Sequence, residues 1–284
     1  MKVFSPAKIN LFLKVLRKRS DGYHELSSLF QTINLCDTLD FELYGKGTDI
    51  LTCSDSSLPT DNSNLVLKAT QLFRRKTGIN LGLKIHLDKK IPSQAGLGGG
   101  SGNAATTLWA FNQLVGNIAT EEELQAWSAE IGSDIPFFFS QGTAHCTGRG
   151  ECVHNLSDLP EEPCVIVKPL IGTSTPHIYK QLGMSPQSDS TFHPSFTFHS
   201  DFLHSNQYFN DLEKPAFEVI PELENLKKRL LQCGFKTVLM TGSGSAFFCL
   251  GQGKVPKLPY ISIFSARFLN RKPLKWYENS NFIN

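Results

Sequence analysis

The chain has 284 residues, a length that suits about two domains at roughly 150 residues each. Hydrophobic residues make up 40% and charged residues 19%, enough apolar content for a sizeable core and too much for a disordered chain. With 28 Lys plus Arg against 26 Asp plus Glu, the formal charge of +2 gives little non-specific pull toward nucleic acid or an anionic membrane.

No apolar run approaches the roughly 18 residues that a membrane span needs. Lys2 ahead of Phe4 and Leu11 resembles an export leader, but Pro6, Lys8, Asn10 and Lys14 interrupt the apolar stretch. The expectation is a soluble, cytoplasmic protein. Seven cysteines, an odd number with no Cys-x-x-Cys pair, argue against a disulfide framework or a zinc knuckle. The eight histidines lack the spacing of a metal-binding helix, so no metal ligand is assigned from them.

Residues 8–15 alternate with the period of a strand: Ile9, Leu11, Leu13 and Val15 on one face, Lys8, Asn10, Phe12 and Lys14 on the other. A turn at Ser20, Asp21 and Gly22 precedes strand-like runs at 29–35 and 38–43. Residues 53–64, rich in Ser, Asp, Asn and Pro, read as loop. A helix fits 65–76 with Gly78 as its stop, and 81–87 alternates again as a strand. Beyond the glycine-rich stretch 96–102, Ala104, Ala105, Leu108, Phe111, Leu114 and Val115 fall on one helical face. Thr120 with Glu123 is a capping box opening a helix that carries Leu124, Trp127 and Ile131. The polar, proline-bearing stretch 155–163 reads as a boundary, giving domains 1–155 and 156–284. After it come a short strand at 164–167, a helix at 222–232 ending at Gly234, and two strands flanking 241–246. Residues 186–206 read as a Ser/His/Phe-rich loop. Strands and helices mixed without regular alternation indicate an α+β fold.

Three segments carry residues suited to chemistry. Five glycines within 96–102 sit between a strand and a helix. Backbone N–H groups there turn toward a ligand with no Cβ in the way, and the helix start adds free donors and a positive dipole end. That is a phosphate cradle, although neither the Gly-Lys-Ser/Thr nor the Gly-x-Gly-x-x-Gly register is present. Lys8 and Asn10 share one strand face. Taken alone they read as solvent-facing surface; in a cleft, the ammonium would neutralise a phosphate or activate a hydroxyl. Asp134, followed by Ile135 and Pro136, suits either a helix N-cap or a general base. Residues 241–246 (Thr-Gly-Ser-Gly-Ser-Ala) read as a hairpin turn or as a place of close backbone approach.

Together these segments resemble the GHMP kinase superfamily. Its first motif resembles residues 5–13 (Ser-Pro-Ala-Lys-Ile-Asn-Leu-Phe-Leu), its second 96–105 and its third 241–246. Residues 19–24 (Arg-Ser-Asp-Gly-Tyr-His), 132–136 and 148–151 resemble the branch of that superfamily acting in non-mevalonate isoprenoid precursor biosynthesis. The resemblance implies two α+β domains with the active site in the cleft between them. The implied reaction transfers the γ-phosphoryl group of ATP to the 2-hydroxyl of 4-diphosphocytidyl-2-C-methyl-D-erythritol, with Mg²⁺. By residue-wise match, Asp134 is the catalytic base and Lys8 its partner. ATP is wrapped by Pro92, Ser93, Gln94, Ala95, Gly96, Leu97, Gly98, Gly99, Gly100, Ser101 and Gly102. Asn10, Tyr23, His24, Thr175 and Tyr179 bind the substrate, the aromatic ones around cytosine. The implied partner is this small molecule, in a monomer or weak homodimer. The chain departs from the family at Gly102: a second serine there helps hold Mg²⁺ in related members. A catalytically silent nucleotide-binding module is the rival reading, against which the presence of both Lys8 and Asp134 speaks.

Overall fold

The computed structural model describes residues 1–186 and 208–278. The stretch 186–206 therefore lies outside the described residues, apart from Pro186.

Two long strands organise the amino-terminal half. β1 (Lys2–Lys18) and β2 (His24–Tyr44) form an antiparallel ribbon. The turn between them is held by Tyr23 N–H donating to Asp21 Oδ1 at 3.0 Å and by a left-handed Gly22. The runs at 29–35 and 38–43 are thus one strand, not two. Its pairing shifts register between Pro6 and Ala7, between Asn10 and Phe12, and between Val15 and Arg17. Bulges of this kind break the period of two without ending the strand.

β2 also pairs β4 (Gly82–Asp88) through its far half and β5 (Thr143–Gly148) through its near half. β3 (Ile50–Cys53) lies parallel to β4, and β6 (Cys152–Asn155) extends beyond β5. A second, antiparallel sheet comes from β7 (Pro163–Pro169), β9 (Thr237–Met240), β10 (Phe247–Leu250) and β11 (Ile261–Arg267) in the order β11-β7-β10-β9. β8 (Phe209–Asn210) joins the first sheet beside β1.

The helices sit where their caps allow. α1 (Leu65–Thr77) starts at Asn64, whose side chain accepts from Val66 N–H, and stops at a left-handed Gly78. α2 (Gly99–Leu114) buries Ala104, Ala105, Leu108 and Phe111 against the first sheet and α1. α3 (Glu121–Ser128) opens on the Thr120–Glu123 capping box. α4 (Thr175–Gln181), α5 (Glu213–Val219) and α6 (Pro221–Gln232) cover the second sheet. β3, β5, β6, β11 and α4 escaped the sequence reading because each is short or lacks a clear period.

A shared core joins the two sheets: Ala7, Ile9, Leu11 and Phe12 of β1 pack with Ile166 of β7 and Phe248 of β10. The carboxy-terminal segment crosses back as well. Trp276 stacks on Trp109 with ring centroids 5.1 Å apart, and its Nε1 donates to Phe4 O. Arg271, buried beneath it, donates to the carbonyls of Phe139 and Ser140. Those carbonyls end the short 3₁₀ helix Pro136–Phe139 that follows Asp134, so the tail fixes the segment bearing that carboxylate.

Candidate active site

The Lys8 and Asn10 face of β1 is buried, not solvent-facing: Lys8 is 3% exposed and Asn10 fully buried. α2 and the glycine-rich loop cover it. Lys8 N–H donates to Leu97 O at 2.9 Å, stitching the strand to the loop. Its ammonium donates to Asn10 Oδ1 at 2.7 Å, lies 4.6 Å from the centre of the Phe30 ring, and reaches Asp134 Oδ2 at 3.5 Å. The remaining Asn10 groups are engaged too, with Nδ2 donating to Ser28 Oγ and N–H to Thr241 Oγ1. Asn10 therefore borders the cavity and orients Lys8, with one N–H of its carboxamide directed to Ser28.

Asp134 is not an N-cap. The cap position of the 3₁₀ helix is Ile135 and no side chain caps it. The carboxylate instead faces Lys8 and is 35% exposed, with no hydrogen-bond donor beyond that ion pair among the described residues. An exposed, under-coordinated carboxylate held beside a buried cation can take a proton from a hydroxyl placed between them.

The glycine-rich loop is shaped by close approach. Gly98, at φ +68, is the left-handed cap of α2, and a Cβ on it would lie 2.9 Å from Lys8 Cγ. At Gly96 a Cβ would meet Thr241 O at 2.0 Å. The stretch 241–246 is thus both the β9–β10 hairpin and a close contact, with Ala246 N–H donating to Ala95 O. The chain entering the loop is anchored by Asp37, fully buried. It accepts from Lys89 Nζ at 2.5 Å, Lys90 N–H at 2.7 Å, Ile91 N–H at 2.8 Å and Asn103 Nδ2 at 3.0 Å.

Two cavities meet at this loop. One, of about 350 Å³, is lined by every residue from 92 to 101 together with Leu58, Leu65 and Lys89. The start of α2, whose first N–H groups have no partner within the helix, borders this cavity, an arrangement that suits an anion. Gly102 is the exception among the expected ATP-binding residues. It faces away, and a Cβ on it would lie 2.8 Å from Pro6 O and 3.2 Å from a Phe138 ring carbon. A serine at 102 would have no room in this chain, whereas Ser93 and Ser101 both lie at the cavity wall.

The other cavity, of about 650 Å³, holds Lys8, Asn10, Asp134, Tyr23, His24, Thr175 and Tyr179. Every expected catalytic and substrate residue is therefore brought to one cleft between the sheets. Thr175 opens α4 and shares a 2.7 Å hydrogen bond with Ser243. One helical turn on, Tyr179 packs on His24 with ring centroids 4.9 Å apart. Tyr23 is exposed, beneath the Arg149 guanidinium at 5.0 Å. His24 Nε2 is buried without a hydrogen-bond partner among the described residues, and burial first, then Lys18, pulls its pKa down. Burial, followed by the nearby Asp134 charge, pushes the Tyr179 hydroxyl up. Lys18, Arg149 and Lys180 also line this cavity, so with Lys8 four cations share its wall with a single carboxylate. The sequence reading gave these three no role; Arg149 alone stood in a quoted motif.

No cluster of three or more His, Cys, Asp or Glu side chains suited to a metal ion occurs among the described residues. Oxygen groups lining the cleft include the Ser101 hydroxyl and the Asp134 carboxylate, hard donors of the kind that suit Mg²⁺ retaining waters and phosphate oxygens.

Comparison with known proteins settles the family. The GHMP kinases N terminal domain matches residues 64–142 and the GHMP kinases C terminal domain matches 199–258. The chain is 60% identical, over 98% of its length and 93% of the relative's, to 4-diphosphocytidyl-2-C-methyl-D-erythritol kinase of Protochlamydia amoebophila. The chloroplastic enzyme of that name from Arabidopsis thaliana is 45% identical over 98% of this chain and 76% of its own. The chain belongs to the GHMP kinase family. A crystal structure of 4-(cytidine 5′-diphospho)-2C-methyl-D-erythritol kinase superposes with a TM-score of 0.77 at 32% identity, covering 95% of this chain and all of that one. A homoserine kinase from Cytophaga hutchinsonii, covering 95% of each chain with a TM-score of 0.68 at 17% identity, shares the fold. As a GHMP kinase the protein is a small-molecule kinase of α+β architecture that takes ATP as phosphoryl donor. Among the described residues, no helix is long and apolar enough to cross a membrane.

Proposed function

We propose that this kinase phosphorylates the 2-hydroxyl of 4-diphosphocytidyl-2-C-methyl-D-erythritol, a step of non-mevalonate isoprenoid precursor synthesis. The observation that carries the choice of acceptor is the larger cavity, whose wall carries one carboxylate and four cations together with Tyr23, His24 and Tyr179. A dianionic diphosphate suits the cations, and a pyrimidine suits the aromatic faces beside an unpartnered imidazole nitrogen. Mevalonate and homoserine would leave those aromatic faces unused.

The chemistry follows from the geometry. ATP lies along 92–101, its phosphates on the loop N–H groups and the start of α2. Asp134 accepts the proton of the acceptor hydroxyl as its oxygen bonds to the γ-phosphorus. The bond from that phosphorus to the bridging oxygen breaks, and its electron pair leaves on ADP. Lys8, fixed by Asn10 and 3.5 Å from Asp134, stabilises charge growing on the attacking oxygen. Ser101 and Asp134 would be candidates to hold Mg²⁺, which would neutralise charge on the phosphates. In this reading residues 1–155 form the ATP-binding domain and 156–284 the domain completing the acceptor site. The seven free cysteines favour a cytoplasmic location, and the protein acts as a monomer or weak homodimer.

ADP release in Mg²⁺ and ATP, with the cytidylyl acceptor, mevalonate and homoserine offered in parallel, tests this. Turnover with the first alone is expected. Turnover with either of the others at comparable kcat/KM would overturn the acceptor assignment.

A further inference from the structure

The two cavities share a wall made of Gln94, Gly96, Gly98 and Ser101. Two of these have no side chain, so Gln94 and Ser101 alone present side-chain polar atoms at the junction. Gln94 has a backbone φ of +51, in the left-handed region that a β-carbon disfavours. Non-glycine residues held there concentrate at functional sites, where the surrounding structure maintains the strain. The surroundings are visible: a Cβ at Gly172 would lie 2.6 Å from Gln94 Oε1, so the absence of a side chain at 172 makes room for the carboxamide. Gln94 is exposed to the cleft, and its carboxamide has no hydrogen-bond partner among the described residues. The side chain rests beside Gly172, and its carboxamide stands between the donor and acceptor cavities.

We propose that Gln94 is a further catalytic residue, whose side-chain N–H donates a hydrogen bond to a non-bridging oxygen of the γ-phosphoryl group during transfer. The inference rests on the kinase reading above and adds to the backbone cradle a side-chain donor at the junction itself. Gln94 moves no proton. The acceptor proton goes to Asp134, the new oxygen–phosphorus bond forms, and ADP departs with the electron pair of the broken bond. A neutral donor suits this position, because it neither pairs with Asp134 nor competes with Lys8 for it. Charge spread over the equatorial oxygens at the transition state strengthens such a bond relative to bound ATP, which is the condition for raising kcat.

Two variants test it. Gln94→Gly suits the left-handed backbone, so folding is safeguarded, and Gln94→Met keeps the length without the donor. In both, kcat is expected to fall about 10²-fold, the scale of losing one preorganised donor. KM for ATP and for the acceptor should stay within about threefold, because the lost interaction belongs to the transition state. By calorimetry ATP should bind as in the parent, while ADP with aluminium fluoride, a mimic of the transferring group, should bind at least about tenfold more weakly. The melting temperature of Gln94→Gly should be no lower than the parent's. Parent-like kcat in either variant would overturn the proposal. So would a loss of kcat that comes with a lower melting temperature and a raised acceptor KM, since the side chain would then merely brace the loop at Gly172. A parent enzyme that turns over no acceptor would instead overturn the kinase reading beneath it.

Discussion

At one end of the glycine-rich loop Lys89 meets Asp37 at 2.5 Å; at the other Lys8 meets Asp134 at 3.5 Å. The residue types are the same and the two lysines are both nearly buried. The carboxylates differ. Asp37 is wholly enclosed and takes four donors, two of them backbone N–H groups. Asp134 is a third exposed and has only its lysine. A saturated carboxylate has no capacity for a new proton or ligand, so it can serve only to hold the chain in place. An under-coordinated one beside a fixed cation is available to a substrate. The completeness of the hydrogen-bond set, not the pairing itself, separates scaffold from chemistry here.

Breaking each pair should therefore give opposite signatures. Asp134→Ala is expected to keep ATP binding and the melting temperature while lowering kcat by about 10³-fold or more, through loss of a base and an orienting charge together. Steady-state kinetics beside a thermal melt will check it. Asp37→Ala should do the reverse, destabilising the fold by about 3–5 kcal/mol because Lys89 is left buried and unpaired. Denaturant unfolding measures that loss, and an unchanged midpoint would place Asp37 outside the scaffold. In the same cavity as Asp134, Tyr179→Ala should raise the acceptor KM about tenfold with a smaller change in kcat, since ring stacking contributes about 1–3 kcal/mol of uniform binding. An unaltered KM would mean that the pyrimidine lies elsewhere.

The smallest expected effect is a pH dependence. Burial, with help from Lys18, holds His24 below the ordinary imidazole value of 6.5, so the folded protein favours the neutral ring. Its contribution is complete above 6.5 and is lost as pH falls through the depressed folded value. The acceptor KM should be flat at neutral and alkaline pH and rise on acidification. His24→Gln should remove that limb; a limb that persists would assign the titration to another group.

Much of this frame was legible in the sequence because local chemistry decided it. The Asn64 and Gly78 caps bound α1, the Thr120–Glu123 box opens α3, and alternation along 8–15 marks β1. The cradle at 92–101 was legible from its glycines, and the family motifs pointed to Lys8 and Asp134. What stayed hidden is tertiary. β2 runs unbroken across its bulges, which periodicity reads as a stop. The face bearing Lys8 and Asn10 looks solvated until α2 and the loop are laid over it. Asp37 carries no motif, since its four donors come from residues 89–103. Arg271 and Trp276, which tie the tail to the segment after Asp134, are likewise defined only by contacts across the whole chain. Gln94 could be placed in the cradle from sequence, but its left-handed backbone and its neighbours on both cavities could not.

The central claim is that Lys8 and Asp134 act as one unit on one hydroxyl, and a double-variant cycle on kcat tests it most directly. Lys8→Met, Asp134→Asn and the double variant are assayed with the cytidylyl acceptor under saturating ATP. Each single change is expected to cost about 10³-fold, and the double variant should fall within about tenfold of the slower single one, as for groups that work together. Losses that multiply across the two sites would show independent roles and contradict the account.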